Sequence, residues 1–251
     1  MNSHPSALES ASARRINHSA RRVNALAERL GAKNYLEIGV QRGKTFFAVD
    51  IPNKVAVDPN FRFDVEAHKS PGVSFHSMTS DNWFLRGHAD KQIFDIIFLD
   101  GLHTFEQTFR DFCNSLAVSH EKTVWVIDDT CPTDVYSACP DQRVAVGTRK
   151  KDFNIESGVW HGDVYKIVFA IHDFFPMFSY RTIESADNSQ TIVWRQPRRP
   201  FAPVFNNLEK ISRLTYFDFQ AHSSVLQRAP EDVTLDDAVA GVTSGGGRKQ
   251  G

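Results

Sequence analysis

The chain has 251 residues, of which 41% are hydrophobic and 24% charged, with a formal net charge of −1; such a composition suits one large soluble globular domain or two small ones. Near-neutral charge and the lack of aromatic–basic interleaving argue against a nucleic-acid or anionic-lipid partner. No apolar run approaches the roughly 18 residues of a membrane helix, and the opening MNSHPSALESASARR has no apolar signal core.

Residues 1–13 read as a disordered N-terminus. In 14–31, Ile16, Ala20, Val23, Ala27 and Leu30 recur at helical steps, and Gly31 is a stop. NYLEI (34–38) reads as a strand, followed by GVQRG and a short helix over 44–50. KVAVD (54–58) and VSFHS (73–77) are the next strands, and a helix begins near Asp81. IFDIIFL (93–99) is the most apolar strand. The helix after it carries Phe105, Phe109, Phe112 and Leu116 on one stripe, and TVWVID (123–128) follows as a fifth strand. Strands alternating with helices, and apolar throughout, predict a parallel sheet covered on both faces. Right-handed crossovers then put the strand C-termini on one edge, where ligands bind.

Residues 130–162 read as a long irregular segment, a lid loop, with a basic cluster at Arg149, Lys150 and Lys151. A helix over 163–175 precedes Pro176. MFSYRTI (177–183) and QTIVWR (190–195) flank SADN as an antiparallel hairpin closing the sheet. The main domain thus spans 14–195. A helical extension over 196–240 has helices near Asn207–Leu214 and 231–240, and is a candidate homo-oligomerisation element. The tail 241–251 reads as disordered. The three cysteines, Cys113, Cys131 and Cys139, have no CxxC spacing, which speaks against a disulfide framework or a zinc site. Cys113 falls in an apolar helical pattern and reads as core, and a reducing, cytoplasmic setting is expected.

Chemistry concentrates at the predicted strand ends. LEIGVQRG ends a strand on Glu37 and turns through Gly39 and Gly43, letting backbone approach a ligand. Asp58 ends the second strand, where an acid can bind ribose hydroxyls. The turn is ExGxxxG, not GxGxxG, and Glu37 suits an adenosine with a cationic or zwitterionic tail better than a pyrophosphate. With Glu37, Gly39, Gly43 and Asp58 so placed, residues 33–195 resemble the class I S-adenosylmethionine-dependent methyltransferases. That resemblance implies a Rossmann-like α/β fold: a mostly parallel sheet, a terminal antiparallel hairpin, and helices on both faces. It implies S-adenosylmethionine as cofactor, with Ser80 and Asp81 near the adenine; Ser80 also reads as an N-cap.

Asp100 ends strand four and Asp128–Asp129 end strand five, so three carboxylates share one edge. Their mutual repulsion would be relieved by a divalent ion, and Mg²⁺ accepts a few carboxylates plus water. The spacing resembles catechol-type metal-dependent O-methyltransferases and sugar or antibiotic O-methyltransferases, and FLDGLHTFEQTFRDF resembles a D-G-x-H-x-[YF]-E methyltransferase group. Helix capping by Asp100 is the alternative. His103 stands where the catechol-type enzymes carry a lysine base. It is expected to take a hydroxyl proton, or only to steady the aspartates. Trp160 and His161 are candidate acceptor contacts, and Gly162–Asp163 reads as a helix start. The expected function is methyl transfer to a hydroxyl of a small molecule, a sugar or natural product, with Mg²⁺ on Asp100, Asp128 and Asp129. The alternatives are a hydroxylase-like metal–carboxylate enzyme on the same fold, or a non-catalytic cofactor-binding partner protein.

Overall fold

A computed structural model describes residues 17–87, 92–154, 158–185 and 188–244. Of the termini expected to be disordered, 1–13 and 241–251, residues 1–13 and 245–251 lie outside the described residues, while 241–244 are helical. Helix α1 (His18–Leu30) is capped by Asn17, whose side chain accepts from Ala20 N–H, and it buries Val23, Leu26 and Ala27. Then follow β1 (Asn34–Ile38), α2 (Lys44–Ala48), β2 (Asn53–Val57), β3 (Val73–His76), α3 (Ser80–Leu85), β4 (Phe94–Leu99), α4 (Phe105–Ser115) and β5 (Ser119–Ile127). The second half comprises α5 (Gln142–Phe153), α6 (Lys166–Phe174), β6 (Phe178–Ile183), β7 (Thr191–Arg195), α7 (Leu208–Ser212), α8 (Tyr216–His222), β8 (Arg228–Ala229) and α9 (Glu231–Ser244).

The eight strands form one sheet in the order β3-β2-β1-β4-β5-β7-β6-β8. Only β7 runs antiparallel to its neighbours, β5 and β6, so the expected terminal hairpin is present. Alternate residues of each strand face opposite sides, and each side carries its own core. Leu36, Ile38, Trp125 and Phe178 pack with Phe112 and Phe169 on one face. Tyr35, Phe98, Val126 and Trp194 pack with Leu26 and Leu235 on the other.

Four features depart from the sequence reading. The segment expected to be irregular contains the twelve-residue helix α5, N-capped by Asp141. It buries little besides Ala145 and Arg149, so it has no apolar period to read. Within the basic cluster, Arg149 is buried and paired with Asp134 at 2.9 Å. The C-terminal extension adds α8 and strand β8, which pairs in parallel with β6, and α9 continues through Ser244. Leu235, Ala238 and Val242 of α9 are buried, so the extension completes the second face of the sheet. Cys113 is only half-buried, and all three cysteines are free. Among the described residues no helix is long and apolar enough to cross a membrane.

Asp95 ties three segments at the sheet's far edge. Its Oδ2 accepts from the N–H groups of Lys33 (2.8 Å) and Asn34 (2.9 Å), and its Oδ1 lies 2.8 Å from His120 Nε2. Burial pulls this carboxyl up, but the three donors outweigh it and hold it below the usual range. Asp95→Ala should therefore cost about 2 kcal/mol in urea unfolding at pH 7. A lowered folded pKa gives stability that is complete above the unfolded value of about 3.9 and lost as pH falls through the folded value. The gap between wild type and variant should accordingly close in acid.

Candidate active site

Register builds the site. Val57 pairs with Ile38, Ile38 with Leu99, and Leu99 with Ile127. The next residue of each strand therefore emerges at the same edge, and the ladder runs one step further. Gly39 N–H donates to Val57 O, Asp100 N–H to Ile38 O, and Asp128 N–H to Leu99 O. Above them opens a cavity of about 740 Å³, lined by Glu37, Gly39, Asp58, Ser80, Asp100, His103, Asp128 and Asp129 among others. Its floor is carboxylate-rich, while Arg42, Lys44 and Arg62 contribute to its lining. This volume lies in the range of small-molecule sites.

The loop after β1 passes directly beneath the residue that ends β4. Gly39 has φ +87°, and a Cβ there would sit 1.8 Å from Asp100 O; any side chain would displace one of the two strand ends. Asp58 holds this loop closed. Its Oδ2 accepts from the N–H groups of Val40 and Gln41, both at 2.8 Å, and its Oδ1 from Asn60 N–H at 2.7 Å. Glu37 lies buried below, accepting from Tyr35 Oη at 2.6 Å, and burial raises its carboxyl well above the usual range. Gly43 is the N-cap residue of α2.

Ser80 does not cap the next helix. Thr79 is the N-cap, accepting from Asn82 N–H, and Ser80 turns inward. Gln107 Nε2 reaches Ser80 Oγ, Asp81 Oδ1 and Asp111 Oδ1 at 3.1, 3.2 and 3.0 Å. Asp111, buried and lifted to about 6 by that burial, also lines the cavity. Sequence spacing gave no sign of it, because an acid on an amphipathic helix reads as solvent-facing.

His103 lies between two carboxylates. Its Nε2 is 3.2 Å from Asp100 Oδ1 and its Nδ1 is 2.8 Å from Asp129 Oδ2. The Nδ1 contact is an ion-pair distance without hydrogen-bond alignment. Burial pulls the imidazole down, but the two carboxylates outweigh it and raise it to about 11. Burial also raises Asp100 and Asp128 to about 6 and Asp129 in the same direction. At neutral pH the ring is therefore a cation held between two acids.

That arrangement differs from the expected Mg²⁺ cage. Among the described residues the converging set is Asp100, His103 and Asp129, with ligand atoms all within 4.8 Å of one another. Asp128 is engaged elsewhere: its Oδ1 accepts from Asp129 N–H at 2.9 Å, and its Oδ2 lies 3.4 Å from Ser19 Oγ. Mg²⁺ favours oxygen donors, whereas here the two nitrogens of one imidazole face different carboxylates. The converging set is thus two carboxylates and an imidazole in place of three carboxylates; its ligand atoms suit a metal ion, and its carboxylates suit a protonated ring.

Trp160 and His161 join the site from the far side. The Trp160 ring stacks on His103, with centroids 4.8 Å apart and planes 9° from parallel, and its Nε1 donates to Cys139 O at 2.6 Å. His161 is half-buried, burial lowers its imidazole, and its Nδ1 has no hydrogen-bond partner. Gly162, at φ +63°, lets this segment press on the loop before α4, since a Cβ there would sit 1.7 Å from His103 O. Asp163 does not start α6 but caps α4 across space: its Oδ1 accepts from Phe105 N–H at 2.7 Å and its Oδ2 from Lys166 Nζ at 2.8 Å. Capping of α4 thus falls to Asp163 and not to Asp100.

Asp163→Ala would leave Phe105 N–H uncapped and strand the buried Lys166 ammonium. It should cost about 3 kcal/mol in thermal or urea unfolding. Asp163→Asn, which keeps an acceptor for Phe105, should lose less.

Comparison with known proteins agrees with this geometry. Residues 36–130 match a family model described as a methyltransferase domain. No curated protein matches the sequence significantly. Among solved structures, cofactor-bound Rv0187 from MTB is similar at 12% identity and a TM-score of 0.52, over 74% of this chain and 84% of that one. The O-methyltransferase TomG from Streptomyces achromogenes, in complex with SAM, is 15% identical with a TM-score of 0.48, over 72% and 82%. An O-methyltransferase from Bacillus cereus in complex with SAH is 18% identical with a TM-score of 0.44, over 72% and 82%. The ExGxxxG turn, the strand order and the match over residues 36–130 together give the chain the fold of the class I methyltransferases.

Proposed function

We propose that this protein transfers a methyl group from S-adenosylmethionine to a hydroxyl of a small molecule, such as a sugar or natural product. The observation that carries the proposal is the cavity at the strand ends. Its floor of Glu37, Asp58, Asp100 and Asp128 suits a cationic ligand, and Arg42, Lys44 and Arg62 suit the carboxylate of the same zwitterion. Bound there, S-adenosylmethionine would supply an electrophilic methyl on a sulfonium sulfur. The chain's own task is to hold the acceptor oxygen in line with that methyl and to take its proton.

An imidazole raised to about 11 is not a base at neutral pH, so the proton-accepting role moves from His103 to its partners. We assign it to Asp129, whose raised carboxyl lies on the side of Trp160 and His161. His103 then acts as the fixed positive charge between Asp100 and Asp129, and stabilises negative charge on the acceptor oxygen as it loses its proton. The three groups titrate as a unit. Trp160 shields the ring from water by stacking, and His161 stands beside it as an acceptor contact. The sequence reading put a divalent ion in this place; we propose that the imidazolium fills it.

Two experiments test this. Calorimetry should detect S-adenosylmethionine binding, weakened about tenfold or more by Glu37→Ala or Gly39→Ala, and turnover should add one CH₂ to the acceptor by mass. A wild type that binds no S-adenosylmethionine would overturn the methyltransferase reading in favour of a partner protein, and a gain of one oxygen would favour the hydroxylase-like alternative. Separately, methyl transfer should survive excess chelator with kcat unchanged. Loss of activity on chelation, restored by Mg²⁺, would return the ion to the site and displace the imidazolium from this role.

A further inference from the structure

We infer that Ser19 and Gln190 are positioning residues for the Asp128–Asp129 pair, held in orientation by a buried polar chain that starts at Glu231. The links come from four separate parts of the sequence. Glu231 opens α9 and accepts from Arg22 Nε on α1 at 2.7 Å. Arg22 Nη1 donates to Gln190 Oε1 at 3.0 Å, and to Asn188 O and Oδ1 at 2.7 and 2.9 Å. Gln190 Nε2 donates to Ser19 Oγ at 2.8 Å and also supports the Asp128 carboxylate. Ser19 Oγ in turn lies 3.4 Å from Asp128 Oδ2. Arg22 and Gln190 are 0% exposed and Ser19 is 6% exposed.

The chemistry of these groups sets a direction. Arginine has donors only, so Arg22 fixes which end of the Gln190 amide faces it. The amide must then present its NH₂ to Ser19 and Asp128. Ser19, receiving a hydrogen from Gln190, is left with its own hydroxyl hydrogen to offer Asp128. Asp128 Oδ1 is thereby free to accept from Asp129 N–H, at 2.9 Å. That last bond holds Asp129 at φ +59°, a left-handed conformation that is strained for a non-glycine residue. It also fixes the aspartate that faces His103 Nδ1.

A purely structural contact here would be apolar. Elsewhere on its buried side α1 packs through Val23, Leu26 and Ala27, and replacing buried ionic groups with apolar ones is often neutral or stabilising. The polar chain appears only where α1 passes the end of β5. Its terminus is a strained residue of the site, and that is the property the inference rests on.

The activity readout rests on the methyl-transfer reading; the exchange readout does not. In Ser19→Ala, kcat should fall about tenfold while KM for S-adenosylmethionine stays within about twofold, a loss confined to the reacting geometry. Amide hydrogen exchange at Asp129 should rise about tenfold while exchange at Val126, in the middle of β5, is unchanged. Arg29→Ala removes an exposed α1–α9 ion pair with Asp236 and serves as the control, with kcat and Asp129 exchange unaltered. Wild-type kcat and Asp129 exchange in Ser19→Ala, with only a lower Tm, would overturn the inference. If the wild type itself binds no S-adenosylmethionine, the functional reading fails, and Asp129 exchange alone decides the positioning role.

Discussion

The strands β2, β1, β4 and β5 end in register, and that constraint makes the site both possible and electrostatically difficult. It delivers Asp58, Asp100 and Asp128 to one edge, with Glu37 just below and Asp129 next in chain. Burial raises the carboxyls of Glu37, Asp100, Asp128 and Asp129, and neighbouring charges add to it. The protein answers with a partner for every acid: Tyr35 for Glu37, the loop N–H groups for Asp58, His103 shared by Asp100 and Asp129, and Ser19 with Gln190 for Asp128. The edge stays anionic enough for a cationic ligand, yet every carboxylate is held in place.

Holding the acids requires the backbone to come unusually close to itself. Gly39 passes beneath Asp100 O, and Gly162 presses against His103 O, so the loop between β4 and α4 is gripped from two sides. Between these grips His103 and Asp129 both adopt positive φ, at 57° and 59°. Two strained non-glycine residues facing each other persist only where their surroundings fix them. Here the fixing elements are the Trp160 stack, the Asp163 cap on α4 and the turn closed by Asp128.

The strand ends were legible in the sequence because a parallel sheet leaves two strong signals: apolar runs of strand length, and acids or glycines where they stop. Glu37, Gly39, Asp58, Asp100, Asp128 and Asp129 all fall where that logic puts them. Partner choice was not legible. Spacing shows that three acids converge but not what lies between them, and the structure puts the His103 ring between Asp100 and Asp129. Asp163 looked like the cap of its own helix, and only tertiary structure could show it capping α4. Helix α5 went unread because it buries one small side chain and one arginine and so carries no apolar stripe. Ser19 is a small polar residue inside α1 and Gln190 a neutral polar one just before β7, and neither composition nor period marks them.

The elements beyond the family-matched stretch bear on the chemistry through those unread residues. Helix α1 ties to the cofactor loop by Asn17 Nδ2, which donates to Lys44 O at 2.9 Å, and to the Asp128 turn by Ser19. Helix α9 joins α1 through Glu231 and lies across β5, β6 and β7. Trp160 stacks on the His103 ring. The logic of strand and turn therefore presents the acids, but their orientation depends on segments that precede and follow it. A cavity whose floor is set by sheet register, and whose acids are aimed from outside that sheet, can keep its floor while the outer segments change what it admits.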